Sequence, residues 1–148
     1  MIDSQEPARQ EPESQKSASR GLVMGFDFGT KKIGVAVGQG LTGSATPVAI
    51  ITARDGIPSW DEIETLIKTW GPELLVVGLP LNMDDSPSPI SIRAEKFARR
   101  LTGRFNIPHQ TVDERLSSHA AKTRTGRNQM VDAVAAQLIL ETYFQSLG

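Results

Sequence analysis

The chain has 148 residues, 39% of them hydrophobic, with no cysteine and a formal net charge of -1. That is enough apolar material for one domain core, and the missing cysteines exclude a disulfide framework and thiolate metal sites. The near-neutral total hides an asymmetry: residues 21–92 carry a net -4, whereas 93–127 carry +6, the kind of local excess a polyanion needs.

Residues 1–20 are rich in Gln, Ser, Glu and Pro and read as a disordered leader ahead of a domain over 21–148. Leu22–Phe28 and Ile33–Gln39 are predicted strands around a short turn, and Ser44–Thr52 is a third strand. Ser59 and Glu62 have capping-box spacing, and Ile63, Leu66, Ile67 and Trp70 follow at helical period up to the Gly71-Pro72 stop. Trp60 and Trp70 are expected in the core. Glu73–Leu79 is apolar without alternation, as in a central strand covered on both faces. A loop dense in Pro, Asp and Ser spans Pro80–Pro89.

A second helix follows, with Ala94, Phe97, Ala98 and Leu101 on one face and Arg93, Lys96, Arg100 and Arg104 beside it. His109–Glu114 is a short strand, 116–128 a polar helix and loop, and from Gln129 a last helix carries Val131, Val134, Ala135 and Leu138. The order predicts an α/β fold with a mixed five-stranded sheet, an antiparallel meander followed by alternating helices and strands. The longest apolar run, Leu74–Leu81, is far too short to span a bilayer, and no apolar signal-peptide core is present. A soluble, cytoplasmic protein with no membrane contact is expected. No heptad or long apolar stripe argues for a dimer, so a monomer is expected.

Carboxylates fall at three element boundaries: Asp27 in the first strand, Glu114 at the end of the last strand, and Asp132 in the first turn of the last helix. A charge inside a buried hairpin costs several kcal/mol unless something positive meets it. One reading is local: Asp27 pairs with Lys31 or Lys32, Glu114 lies at the surface, and Asp132 complements its helix dipole. In the other the three converge on hard divalent cations, which take oxygen ligands. Two such ions about 3.5–4 Å apart activate water and stabilise the leaving oxygen of a phosphodiester.

The segments FDFGTKKIGVAV, VVGLPLNMDDS, RAEKFARRL, VDERLSS and VDAVAAQLILE, in that order, resemble the YqgF family, also called RuvX, of RNase H-like proteins. The resemblance covers about Leu22 to Leu147. It implies an RNase H-like fold with helices on both faces of the sheet. It also implies a nuclease dependent on two ions, Mg²⁺ or Mn²⁺, acting on the 5′ end of pre-16S rRNA in ribosome biogenesis. Asp27, Glu114 and Asp132 match the family's catalytic, metal-binding carboxylates. Junction resolvases of this fold tend to carry a glutamate after the fourth strand, where this chain has Gly78. The segment before Asp132 is short for the family, and Met130 stands where a lysine is expected; Lys122, Arg124 and Arg127 are the candidates to supply that charge.

Further substrate contacts are expected from Thr30, Lys31, Lys32, Asn82 and Arg115, and from Arg93, Lys96 and Arg100 along a phosphate backbone. Their alternative is a solvated surface. His109 and His119 carry no expected role. With 5% aromatic residues, nucleic-acid binding is expected to be electrostatic rather than by stacking. Structured RNA is the expected partner, with branched DNA, as for a Holliday junction resolvase, the alternative nuclease substrate. Two other classes remain: a non-catalytic RNA-binding assembly or transcription factor, and an actin-like or sugar-kinase-like phosphotransfer domain, which needs a second domain this length does not hold.

Overall fold

A strand without alternation is what a doubly covered position requires, and β1 (Leu22–Asp27) is one: Val23 to Phe26 are all buried. The computed structural model describes residues 21–113 and 131–147, with the backbone alone at 131 and 132. The leader expected over 1–20 lies outside the described residues.

β1 turns back into β2 (Lys32–Gln39), which pairs antiparallel with β3 (Ser44–Arg54). A bulge at Val35/Ala36 faces Val48, beside Pro47, whose missing N–H a sheet tolerates at such an irregularity. β4 (Ile57–Pro58) adds two residues to the end of β3. The chain then returns through α1 (Trp60–Trp70) to β5 (Leu74–Leu79), parallel to β1 on its other side. α2 (Pro89–Phe105) leads to β6 (His109–Asp113), parallel to β5, and α3 (Val131–Leu147) closes the chain.

The sheet order is β4-β3-β2-β1-β5-β6. The expected mixed sheet is present with six strands rather than five. The extra strand was illegible because two residues cannot show a period of two.

Of the capping box expected at α1, the serine half is shown, and the glycine stop forms. The Ser59 side chain accepts from the Glu62 N–H, and Gly71 ends α1 in the left-handed region at φ 61°. Pro89 opens α2 instead of closing the preceding loop, as proline favours the first helical turn.

Alternation along β1 splits the core. Met24, Phe26 and Phe28 pack with Val77, Phe97 and Leu101 beneath α1 and α2. Val23 packs on the other face with Ile139, Leu140, Tyr143 and Phe144 of α3. The face expected for α3 (Val134, Ala135, Leu138) forms a small cluster of its own rather than the sheet contact. A helix apolar nearly all round gives periodicity no single face to choose.

Trp60 meets Phe97 and Phe105 as expected, but Trp70, at the last turn of α1, is 40% exposed and is not core. His109 is structural. The Thr102 hydroxyl donates to the Ile107 carbonyl at 2.7 Å, so the His109 Nδ1–H donates to that hydroxyl at 2.7 Å.

Helix α3 approaches β1 closely because Gly25 leaves room. A Cβ there would lie 2.6 Å from Leu140 Cγ. Gly25→Ala is expected to destabilise the domain by about 1–3 kcal/mol through overpacking. In a thermal double-mutant cycle, adding Leu140→Ala should recover part of that loss; strictly additive penalties would refute the contact.

Candidate active site

The parallel strands β1, β5 and β6 end together. The register pairs Phe26 with Val77, Gly78 with Val112, and Leu79 with Asp113, so Asp27, Gly78–Leu79 and Asp113 share one edge. β1 is also where the sheet changes character, with antiparallel β2 on one side and parallel β5 on the other. In open α/β sheets the crevice outside the carboxyl ends of strands at such a point is where ligands gather.

Asp27 is half-buried. Strand alternation aims it at the α3 face, shared by Val23 and Gly25. The direction of α3 follows from two contacts: Leu140 lies over Gly25, and Phe144 lies over Gly38, which pairs with Val23. The helix thus runs antiparallel to β1, its amino-terminal turn at the end where β1 stops. Asp132 precedes Leu140 by about two turns, roughly 12 Å of axis. Asp27 lies about 7 Å along the strand beyond Gly25. The backbone at 132 is therefore within about 5 Å of the level of Asp27 along the strand direction.

The turn after Asp27 is held from the other side. The Thr30 carbonyl accepts from Gly56 N at 2.9 Å, and the Lys31 carbonyl accepts from Ala53 N at 2.8 Å. Gly29 is required here because a Cβ would collide with the Lys32 carbonyl oxygen. Lys31 and Lys32 are exposed. Among the described residues neither is ion-paired.

Asn82 organises its own loop: its side-chain amide donates to Ser86 Oγ at 3.1 Å and to the Pro87 carbonyl at 3.2 Å. On α2, Arg93 bonds the Asp55 carbonyl at 2.5 Å and its carboxylate at 3.4 Å, while Arg104 stacks 4.3 Å over Trp60. Lys96 and Arg100 remain exposed, without an ion-pair partner among the described residues.

Glu114, Arg115, Lys122, Arg124 and Arg127, and the side chain of Asp132, lie outside the described residues. Among those described, no three His, Cys, Asp or Glu groups cluster as a metal site. The donors at this edge are nonetheless all oxygen, and Asp27 stands on a rigid central strand. That is the chemistry a hard divalent cation takes.

Sequence reasoning passed over Asp113, half-buried at the same edge, and the wall formed by Phe28, Ile57 and Trp60 beside the α2 cations. The signal for the wall was the Asp55-Gly56 turn, with both residues at positive φ.

The fold is that of the RuvC-like resolvases. The structure is similar to that of Thermus thermophilus RuvC in complex with a Holliday junction substrate, with a TM-score of 0.52 and 13% identity over 85% of this chain and 94% of that one. The fowlpox virus Holliday junction resolvase matches at a TM-score of 0.50 and 14% identity, over 86% of this chain and 99% of that one.

The chain itself belongs to the RuvX family, described as Holliday junction resolvase, whose profile matches residues 21–146. A Pseudomonas aeruginosa relative is 56% identical over 128 residues, 81% of this chain and 89% of its own. One from Shewanella denitrificans is 54% identical over 132 residues, 84% and 94% of the two chains. Both carry the name "Putative pre-16S rRNA nuclease". Among the described residues no helix is long and apolar enough to cross a membrane.

The loop between β5 and α2 is anchored by Ser88. Its hydroxyl accepts from Ser91 N at 3.0 Å and donates to the Pro80 carbonyl at 2.5 Å, in a reciprocal capping box. Ser88→Ala is expected to cost about 1–2 kcal/mol and to loosen amide-exchange protection over Leu79–Ser88. Protection unchanged there would contradict that anchoring.

Proposed function

We propose that this chain is a divalent-metal-dependent endonuclease that hydrolyses phosphodiester bonds in structured RNA, with the 5′ end of pre-16S rRNA as its substrate. The supporting observation is the shared edge: the carboxyl ends of β1, β5 and β6 meet beneath the amino-terminal turn of α3. The RuvX match and the names of the relatives support the same reading. The nuclease domain is assigned to 21–148, with 1–20 a tail, and the protein to the cytoplasm as a monomer.

Asp27, Glu114 and Asp132 are the proposed ligands of two ions, Mg²⁺ or Mn²⁺. Val112 packs into the α3-side core, so an extended continuation of β6 would bring Glu114 to the face of Asp27. Bound there, the metal would supply Lewis-acid stabilisation of the charge that develops at phosphorus and on the leaving oxygen.

The chain's own groups do the rest. Asp27, at the end of a central strand and paired with Gly34 of β2, would hold an ion at a fixed place relative to the sheet. Lys31 and Lys32, exposed one turn away, meet the phosphates next to it. Thr30 offers a hydroxyl at the same turn. Lys96 and Arg100, with Arg93, hold the strand at a distance from the cut, and Arg115, Lys122, Arg124 and Arg127 are assigned to the remaining substrate grip. The exposed lysines favour affinity that is sequence-independent and falls steeply with salt.

Asp27→Asn is expected to lower cleavage of a precursor fragment spanning the mature 5′ end by at least about a hundredfold, at about 1.4 kcal/mol of transition-state stabilisation per decade. Its melting profile without metal should stay close to that of the original protein. EDTA should abolish cleavage by the original chain. Cutting that persists in the variant or in EDTA would end the proposal.

A binding readout is independent of turnover. Millimolar Mg²⁺ or Mn²⁺ should raise the melting temperature of the original protein, by about 2.7 kcal/mol of stability at a hundred times the dissociation constant. It should leave Asp27→Asn unmoved; equal shifts in both would place the ion elsewhere.

A further inference from the structure

On the sheet face opposite α3, a cleft of about 260 Å³ opens between the β3–β4 turn and α2. One wall is apolar, made by Phe28, Ile57 and Trp60; the other is cationic, made by Arg93, Lys96 and Arg100, with the exposed Asp55 carboxylate also lining the cleft beside Arg93. Ile57 is 57% exposed, so its apolar surface is open beside three cations.

The cations recur at i, i+3 and i+7 on α2, so they share one helix face and repel one another. Arg93 is held by Asp55. Lys96 and Arg100 have no ion-pair partner among the described residues. An anion bound between them would relieve the repulsion.

The turn backbone is constrained: Gly56 adopts φ +82°, a conformation strained for any residue with a side chain, beside the Arg93 guanidinium. Phe97 also lines the cleft, its ring centroid 5.3 Å from that of Phe28.

We propose that this cleft binds one nucleoside phosphate unit, its base against Ile57 and the edges of Phe28 and Trp60 and its phosphate between Lys96 and Arg100, the unit being supplied by a single-stranded segment of the RNA substrate. The inference rests on the nuclease reading for the identity of the strand and adds to it a subsite away from the cut. A cleft that is apolar on one side and cationic on the other matches the two halves of a nucleotide. Position agrees as well. Phe28 follows Asp27 directly but turns to the opposite face, and the Thr30–Lys31 turn is hydrogen-bonded to the Ala53–Gly56 segment beside the cleft. A strand leaving the Asp27 side reaches the cleft round the end of the sheet, past Thr30 and Lys31.

The test is binding in EDTA, followed through the emission of Trp60 in the full chain carrying Trp70→Phe. Three probes are titrated: a single-stranded RNA hexamer, free AMP and inorganic phosphate. The hexamer should shift the emission and saturate. Lys96→Ala with Arg100→Ala should weaken it at least tenfold, and Ile57→Ala should weaken it several-fold. All three positions are exposed, and melting curves would verify that the variants fold.

Hexamer binding at least tenfold tighter than AMP identifies the RNA strand as the source of the nucleotide; equal affinities identify a free nucleotide in the same site. Inorganic phosphate binding as tightly as AMP and the hexamer would overturn the proposal, as would titrations unaffected by the three substitutions. The readout needs no cleavage. A negative result beside intact, Asp27-dependent cutting removes the subsite alone, and loss of that cutting dependence removes the nuclease reading instead.

Discussion

No side chain separates α3 from β1 at Gly25, and the geometry of the candidate active site follows from that one close approach. Leu140 fills the space a Cβ would take, which sets the height of the helix over the sheet and its position along the strand. Because α3 runs against β1, the contact also determines which residue of its first turns comes level with Asp27. The backbone at 132 is brought there by packing two turns away rather than by any interaction at the site. Overpacking at Gly25 would therefore reach the active site through the helix, without touching a functional residue.

The sheet supplies the complementary constraint. β1 is paired on both sides and buried over Val23–Phe26, and Asp27, the next residue, pairs with Gly34 of β2. A carboxylate so placed is costly in isolation and well suited to hold a cation in register with a phosphate. The two faces of the sheet end divide the work. The α3 side carries the proposed metal ligands, and the α1–α2 side carries the cations and apolar wall that would grip the substrate. The Thr30–Lys31 turn, tied to the β3–β4 segment, joins them.

Much of this was legible in the residues because it depends on local rules. Ser59 and Gly71 bracket α1 by capping chemistry, the apolar run in Leu74–Leu79 marks a doubly covered strand, and the Gly-Thr-Lys-Lys turn marks a hairpin. The parts that were not legible depend on distance. β4 is too short for a pattern. The sheet-facing side of α3 was hidden because apolar residues surround that helix, and only contact with Val23 and Gly25 selects Ile139, Leu140 and Phe144. Trp70 looked like core by helical period, but the period says nothing about where the sheet ends. The cleft was missed because its walls come from Phe28, Ile57, Trp60 and α2, four places brought together only by the fold. Asp27 stood out because a charge inside an apolar strand is a conflict at the level of sequence, whereas the charges of Lys96 and Arg100 look like any solvated helix face.

The most direct measurement is paramagnetic broadening of backbone amide signals by substoichiometric Mn²⁺ in the full chain. If the three carboxylates hold the ion, broadening should centre on Asp27–Gly29, Gly78–Leu79, Val112–Glu114 and the amino-terminal turn of α3. The far end of the β2–β3 hairpin, Gln39–Ser44, and the carboxyl end of α2 should stay sharp, and Asp27→Asn should remove the effect. Broadening centred instead on the Asp84–Asp85 loop, or undiminished in Asp27→Asn, would contradict the assignment of this sheet edge as the metal centre.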